Sequence, residues 1–112
     1  MPARGPQYQK KQGHRELGSW AWNDLRLWSK IDQEPDENGC LNWQGSMSPT
    51  GALMGAWKNS ERQMTQARRL VVMSKTNEDI TPYRVTLTCH NQRCCNFQHF
   101  ELKENYRQNN ND

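Results

Sequence analysis

The sequence predicts a small α+β domain with a thin core, preceded by a flexible basic arm. The chain has 112 residues, of which only 33% are hydrophobic. That content is lower than in ordinary globular domains, so either the chain is disordered or a cross-link, such as a metal site or a disulfide, replaces part of the core. The five Trp and four Cys favour the cross-linked domain. Apolar residues recur at helical spacing in some segments and alternate in others, which favours a mixed architecture.

The flexible arm is predicted over residues 1–18, and the folded domain over residues 19–112. The arm is rich in Pro, Gly, Gln and Lys, and its apolar residues follow neither a helical nor a strand period. No long apolar segment follows its basic residues, so we expect neither a secretory signal nor a membrane span. The expected compartment is the cytoplasm. Before the first acidic residue, Glu16, the arm carries Arg4, Lys10, Lys11 and Arg15.

The domain is predicted to begin with a helix and an acidic loop. Between Trp20 and Ile31 the apolar residues recur closely enough for an amphipathic helix. Ser19 is a suitable N-cap, and Pro35 cannot continue a helix, so the helix is expected to lie between these two residues. Residues 33–39 then form a turn-rich acidic loop.

Four later segments have the composition of strands. Residues 40–45 and 52–57 are short apolar runs separated by a Ser-Pro-Thr-Gly sequence, which predicts a hairpin-like pair. Residues 83–88 alternate and are rich in β-formers, so they are the clearest strand. Residues 100–102 are a further short strand.

Two later helices are expected. Residues 66–75 combine strong helix formers with an apolar stripe, which places Arg68 and Arg69 near one helical edge. Residues 104–108 are predicted to form a last helix that frays into the Asn-rich end of the chain. Most of the five Trp are expected in the core, although Trp20 and Trp22 could instead form an exposed patch for a protein partner.

Cysteine and histidine spacing predicts a zinc site. Cys89, Cys94 and His99 follow one another with the spacing Cys-x4-Cys-x4-His. Zn²⁺ binds four thiolate and imidazole ligands in a tetrahedron, and four Cys in a reducing compartment are more often metal ligands than disulfides. Cys40 is the only Cys outside the cluster, and we assign it as the fourth ligand.

His90 and Cys95 are the rival ligands. Each directly follows a residue of the evenly spaced set, so its use would require a tighter reversal of the chain. Four protein ligands leave no open coordination position, so the site is expected to be structural. The predicted set is therefore Cys40, Cys89, Cys94 and His99.

Four segments, taken in order, resemble the HNH endonucleases of phages and mobile elements. They also resemble the zinc-bearing His-Cys box homing endonucleases, and both groups are His-Me finger (ββα-metal) nucleases. The similarity spans about residues 25–108. It implies a ββα-metal fold, with the same four zinc ligands as the spacing predicts. The segments are Leu27-Trp-Ser-Lys-Ile31, Gly39-Cys-Leu-Asn-Trp-Gln-Gly45, Ala67-Arg-Arg-Leu70 and Cys89-x4-Cys94-x-Asn96-x-x-His99-Phe100.

The catalytic positions that the resemblance implies are substituted in this chain. The general base of the family falls on Leu87, which cannot accept a proton from water. The helix residue that would bind the catalytic Mg²⁺ falls on Gln108, a longer neutral amide and a poorer ligand for a hard cation. His90 and Asn105 are candidate substitutes. We therefore expect a domain that kept the zinc site and a basic groove but lost hydrolysis, with Mg²⁺ required only by an active nuclease.

The expected function is DNA binding by a catalytically degenerate, phage-encoded HNH-like protein that acts as a regulator or blocker in the cytoplasm of a bacterial host. Phosphate contacts would supply affinity rather than sequence specificity. The alternatives are an active nickase with a relocated centre, and an inhibitor or adaptor that binds a host protein. The sequence does not define the oligomeric state. The candidate phosphate-binding residues are Arg4, Lys10, Lys11, Arg15, Arg68, Arg69, Arg84 and Arg93.

Overall fold

The computed structural model of the protein describes residues 13–104, which form an α+β fold with antiparallel strands and few helices. Among these residues, no helix is long and apolar enough to cross a membrane. In chain order the elements are β1 (His14–Leu17), β2 (Trp20–Asn23), α1 (Asp24–Ser29), β3 (Met47–Ser48), β4 (Gly51–Lys58), β5 (Glu61–Gln66), α2 (Ala67–Thr76), β6 (Tyr83–Leu87), a 3-10 turn (Phe97–His99) and β7 (Phe100–Glu104).

Strand β4 organises the larger sheet because it pairs with three other strands. Its last residues pair with β2, its first residues pair with β3, and most of its length pairs with β5. Strand β1 extends the sheet on the far side of β2. A tight turn joins β4 to β5, with positive φ at Asn59 and Ser60. Two positive φ values in a two-residue hairpin turn match the right-handed twist of the paired strands.

The core lies between the sheet and helix α2, which confirms the helix predicted over residues 66–75. The helix buries Ala67, Leu70, Val71, Val72 and Met73, and it ends at Asn77 in the left-handed conformation. Strand β4 contributes its alternate residues Ala52, Met54 and Ala56. This alternation places the opposite face of β4 outside the core.

Three of the five Trp are core residues, as expected from the low apolar content. Trp22 and Trp43 are fully buried, and Trp20 is 7% exposed. The hypothesis of an exposed patch formed by Trp20 and Trp22 is therefore wrong. The two residues are two positions apart on β2, so both side chains point into the core from the same face.

The first helix begins four residues later than the N-cap at Ser19 predicts, and part of the predicted arm is a strand. Strand β1 pairs with β2 through a turn at Gly18, whose φ is +61°. Helix α1 starts at Asp24, where the Asn23 side chain accepts a hydrogen bond from the Arg26 N–H at 3.0 Å. The alternating Trp20 and Trp22 fit a strand as well as a helix, and pairing with β4 decides in favour of the strand. Residues 1–12 of the predicted arm lie outside the described residues.

The hairpin predicted between residues 40–45 and 52–57 does not form. Residues 52–57 do lie in β4, but the long partner of β4 is β5. Residues 40–45 make only single bridges, from Trp43 to Ile31 and from Asn42 to Cys94. This segment is held instead by main-chain hydrogen bonds to the cysteine-rich loop, from the Trp43 N–H to the Arg93 carbonyl and from the Cys95 N–H to the Leu41 carbonyl.

Strands β6 and β7 form a separate antiparallel hairpin, which confirms both strands that the sequence predicts there. Leu87 pairs with Phe100 at the end nearest the cysteine-rich loop, and Tyr83 pairs with Glu104 at the other end. Glu104 is thus the last residue of a strand rather than the start of the predicted helix. Residues 105–108, which include Asn105 and Gln108, lie outside the described residues.

Candidate metal centre and basic groove

The structure brings together the four side chains that the sequence selects as metal ligands. Their ligand atoms all lie within 4.8 Å of one another, and the group could hold a metal ion. Cys40 Sγ lies 3.6 Å from Cys89 Sγ and 3.7 Å from His99 Nδ1. Cys94 Sγ lies 3.3 Å from the same nitrogen. All four cysteines are free thiols.

These distances fit a tetrahedral ion. With metal–sulfur bonds of about 2.3 Å and metal–nitrogen bonds of about 2.0 Å, the edges of a tetrahedron are about 3.5 to 3.8 Å long. The observed separations of 3.3, 3.6 and 3.7 Å are close to those edges. The donor set of three thiols and one imidazole suits zinc, and it supplies all four positions from the protein.

The β6–β7 hairpin positions two of the ligands. Cys89 follows β6 by two residues, and His99 directly precedes β7. Thr88 closes this end of the hairpin, because its N–H and its hydroxyl both donate to the His99 carbonyl, at 2.8 and 3.0 Å. The pairing that makes the hairpin therefore also brings Cys89 and His99 together.

Asn96 ties the cysteine-rich loop to the segment before Cys40. Its side-chain N–H donates to the Gly39 carbonyl at 2.7 Å, and its side-chain oxygen accepts from the Gln98 N–H at 2.9 Å. Its backbone N–H lies 3.5 Å from Cys94 Sγ. Such an N–H···S contact orients a ligand sulfur and stabilises the thiolate form.

Asp36 orders the loop that delivers Cys40. One carboxylate oxygen accepts the N–H groups of Cys40 and Asn38 at 2.9 and 2.8 Å, and the other accepts from the Asn42 side chain at 3.0 Å. These hydrogen bonds, with the Cys40 N–H first, lower the pKa of Asp36 below its ordinary value. The acidic loop noticed in the sequence thus has a structural role beside the metal centre.

Burial opposes ionisation of the Cys94 thiol when no ion is bound. It raises the pKa of Cys94 to about 12, because a thiolate is poorly solvated at that site. A bound metal ion supplies the positive charge that compensates for the thiolates, so metal binding and loss of the thiol protons are coupled.

The two rival ligands lie outside the group. Cys95 is 1% exposed and belongs to the hydrophobic core, where burial raises the pKa of its thiol to about 12. His90 is exposed and has a φ of +62° in the loop that follows Cys89. Leu87, at the position where the resembling family has its base, is half-buried at the end of β6.

Several of the predicted phosphate-binding arginines have partners within the fold. Arg68 donates to the carbonyls of Val85 and Thr50, and Arg93 donates to the Trp43 carbonyl at 2.8 Å. Arg69 donates to two further carbonyls, and burial lowers the pKa values of both Arg68 and Arg69.

The other arginines differ in their surroundings. Arg15 hydrogen-bonds to Asn77 at 3.0 Å and lies 3.8 Å from the Asp24 carboxylate. Arg84 is exposed on β6 and also has an interaction partner. Arg4, Lys10 and Lys11 lie outside the described residues. A role in DNA binding stays a prediction for all of these residues.

A basic groove lies beside the outer face of the β4–β5 hairpin, and it is lined by basic residues other than those that the sequence selects for phosphate binding. Its cavity volume is about 290 Å³. Arg26 and Lys30 line it from α1 and its C-terminal cap, and Arg62 lines it from β5. Among the described residues that line it, none carries a carboxylate. The i, i+4 spacing of Arg26 and Lys30 was the one sign of this groove in the sequence. The strand register that adds Arg62 from β5 could not be seen there.

Comparisons with models of protein families, with curated proteins and with solved structures find no match to this chain.

Proposed function

We propose that this protein is a zinc-stabilised domain of HNH-like ancestry that binds DNA without cutting it, as a regulator or blocker. The observation that carries the proposal is the convergence of Arg26, Lys30 and Arg62 on one groove with no carboxylate in its lining. Three cations around one cavity repel one another, and an anionic ligand relieves that repulsion.

Among the described residues, the three cations of the groove form no ion pair. Among residues 13–104, the ion pairs engage His14, Arg15 and Lys103, and none of them engages Arg26, Lys30 or Arg62. Arg26 and Lys30 are one helical turn apart, a spacing at which like charges destabilise a helix by a few tenths of a kcal/mol. Basic residues that repel one another in this way favour a role in binding a polyanion.

The zinc site would be structural. Three thiolates and one imidazole complete a tetrahedron, so no position is left for water or for a phosphate oxygen. When bound, zinc supplies a cross-link between Cys40 and the β6–β7 hairpin. The absence of cutting rests on the substituted positions: Leu87 cannot act as a base, and the resembling family needs one to activate water.

Salt-dependent DNA binding tests the proposal. Binding of a labelled duplex, measured by fluorescence anisotropy at several salt concentrations, should weaken steeply as salt rises, because phosphate contacts release counterions. The double variant Arg26→Gln, Lys30→Gln should bind more weakly, and its slope of log K against log salt should be shallower by about 1 to 2. The matched control is Lys75→Gln, Lys103→Gln, which removes the same charge outside the groove and should keep the slope.

Two results would contradict the proposal. One is binding that does not respond to salt, or equal losses in the groove variant and its control. The other is nicking of supercoiled plasmid by the natural protein with Mg²⁺ or Mn²⁺, which would indicate a relocated catalytic centre. His90 would then be the first residue to substitute.

A further inference from the structure

We infer that the basic groove binds a single-stranded nucleic acid, with one unstacked base against the Trp57–Arg62 pair and adjacent phosphates against Arg26 and Lys30. This inference rests on the proposed function and specifies the form of nucleic acid that the same groove takes.

The strand pairing places an aromatic ring and a guanidinium side by side on the groove face. Trp57 and Arg62 are direct cross-strand partners, so their side chains lie on the same face of the β4–β5 hairpin. That face is opposite to the core face of β4. Trp57 is 38% exposed although it is a large apolar residue. An exposed aromatic ring within a basic groove is the arrangement that single-strand binding proteins use to stack bases.

Arg62 lies over the Trp57 ring, with its guanidinium carbon 5.1 Å from the ring centroid. Gly55 makes room for this arrangement, since a Cβ at that position would lie 2.5 Å from Arg62 Nη2. A base can stack on a guanidinium plane as well as on an indole. The pair therefore offers two planar surfaces at one place in the groove.

The size of the groove also favours a single strand. A volume of about 290 Å³ is at the lower end of the range for small-ligand sites, and it suits one nucleotide unit rather than a helix. In a duplex both faces of each internal base are covered by neighbouring pairs, so the base cannot stack on a tryptophan without leaving the helix. Met64, which is 54% exposed and pairs with Gly55 across the hairpin, adds an apolar side chain to the lining.

The phosphates are expected beside Arg26 and Lys30 rather than beside His14. His14 also lines the cavity, but its Nε2 atom lies 3.0 Å from a Glu16 carboxylate oxygen. Arg26 and Lys30 line the cavity from α1 and its C-terminal cap, and among the described residues neither forms an ion pair.

The test compares one mixed-sequence oligonucleotide of about 15 nucleotides as a single strand, the same sequence as a duplex, and a nucleoside monophosphate. We expect the single strand to bind at least about tenfold more tightly than the duplex at equal salt, and to quench tryptophan fluorescence. Trp57→Ala should weaken single-strand binding by about 5- to 140-fold, as expected for one stacked base. Trp57→Phe should recover most of that affinity but lose the quenching, because an aromatic face remains and the fluorophore does not.

Tyr83→Ala is the matched control, since Tyr83 is 37% exposed and does not line the groove. It should bind the single strand as the natural protein does. The inference would be overturned if the single strand and the duplex bound with equal affinity, or if Trp57→Ala bound the single strand as the natural protein does. In either case, salt-dependent binding of the duplex would still support the proposed function. A nucleoside monophosphate that binds as tightly as the oligonucleotide would overturn the assignment to a strand. Failure of every nucleic acid to bind would overturn both proposals.

Discussion

At the scale of single residues, Arg68 and Arg69 connect helix α2 to the segment that follows it. Arg69 donates to the carbonyls of Tyr83 and Ile80 at 2.6 and 3.0 Å, and Arg68 donates to the Val85 carbonyl at 2.9 Å. Both guanidinium groups are half-buried. The sequence shows that these residues are charged, but it does not show which carbonyl groups accept their hydrogen bonds. From the sequence alone they are therefore predicted only to bind phosphate.

Arg69→Ala should therefore destabilise the fold. The substitution leaves two carbonyls without their charged donor, and one such hydrogen bond contributes about 1.5 to 3 kcal/mol. Since Arg69 is half-buried, we expect a loss of about 1 to 3 kcal/mol in the free energy of unfolding, measured by chemical denaturation. Arg26→Ala is the matched control and should change stability by less than about 0.5 kcal/mol. Equal stabilities of the two variants would contradict this role of Arg69.

The neighbours Cys94 and Cys95 provide a second residue-scale prediction. Only Cys94 has its sulfur in the metal group, whereas Cys95 packs in the core. Cys94→Ser should lose bound metal and most of the stability that the metal supplies. Cys95→Ala should keep one metal ion per chain and lose only about 1 kcal/mol. Metal content measured by elemental analysis, together with thermal unfolding, checks both variants; loss of metal in Cys95→Ala would contradict the assignment.

At the scale of elements, the sequence correctly predicts the segments whose apolar residues follow a single periodicity. It misplaces the segments whose apolar residues fit both a helical and a strand periodicity. Helix α2 and strands β6 and β7 follow their predictions because one apolar pattern fits each of them. The Trp-rich segment before Asp24 fits both a helix and a strand, and only its pairing with the distant β4 decides. Long-range pairing of this kind cannot be seen in a local pattern.

Strand β1 depends on the turn at Gly18, which offers a test at this scale. Gly18 has a φ of +61°, and a Cβ there would lie 2.5 Å from an Asp79 carboxylate oxygen. Gly18→Ala should therefore cost about 1 to 3 kcal/mol and speed hydrogen exchange of the β1 amides. The neighbouring substitution Ser19→Ala should leave both measurements nearly unchanged. A strand β1 that exchanges equally in the two variants would contradict the hairpin.

At the scale of the whole molecule, the group of Cys40, Cys89, Cys94 and His99, which could hold a metal ion, brings together parts of the chain that are far apart in sequence. The segment with Cys40 and Trp43 is fastened to the cysteine-rich loop: Cys95 donates its N–H to Leu41, and Trp43 donates its N–H to Arg93, both at 2.8 Å. Trp43 is fully buried in the main core. Loss of the metal would therefore loosen the core as well as the loop.

The four residues that could hold a metal ion could be predicted from the sequence because three of them are local, and only Cys40 remained for the fourth position. The residues that line the basic groove could not be predicted in the same way. It combines α1 with β5, so it depends on the sheet register and on the packing of the first helix. The four candidate ligands, helix α2 and strands β6 and β7 were thus predictable from the sequence, whereas the set of residues that lines the groove required the three-dimensional structure.

The most direct test of the account is thermal unfolding of the purified protein, of known metal content, with and without a strong chelator. Because the free energy of binding a structural zinc ion is also free energy of folding, we predict one zinc ion per chain and a large fall in melting temperature on chelation. The tryptophan emission should shift to longer wavelength as Trp43 becomes exposed. Identical melting curves with and without the chelator would contradict the claim that this metal centre holds the fold together.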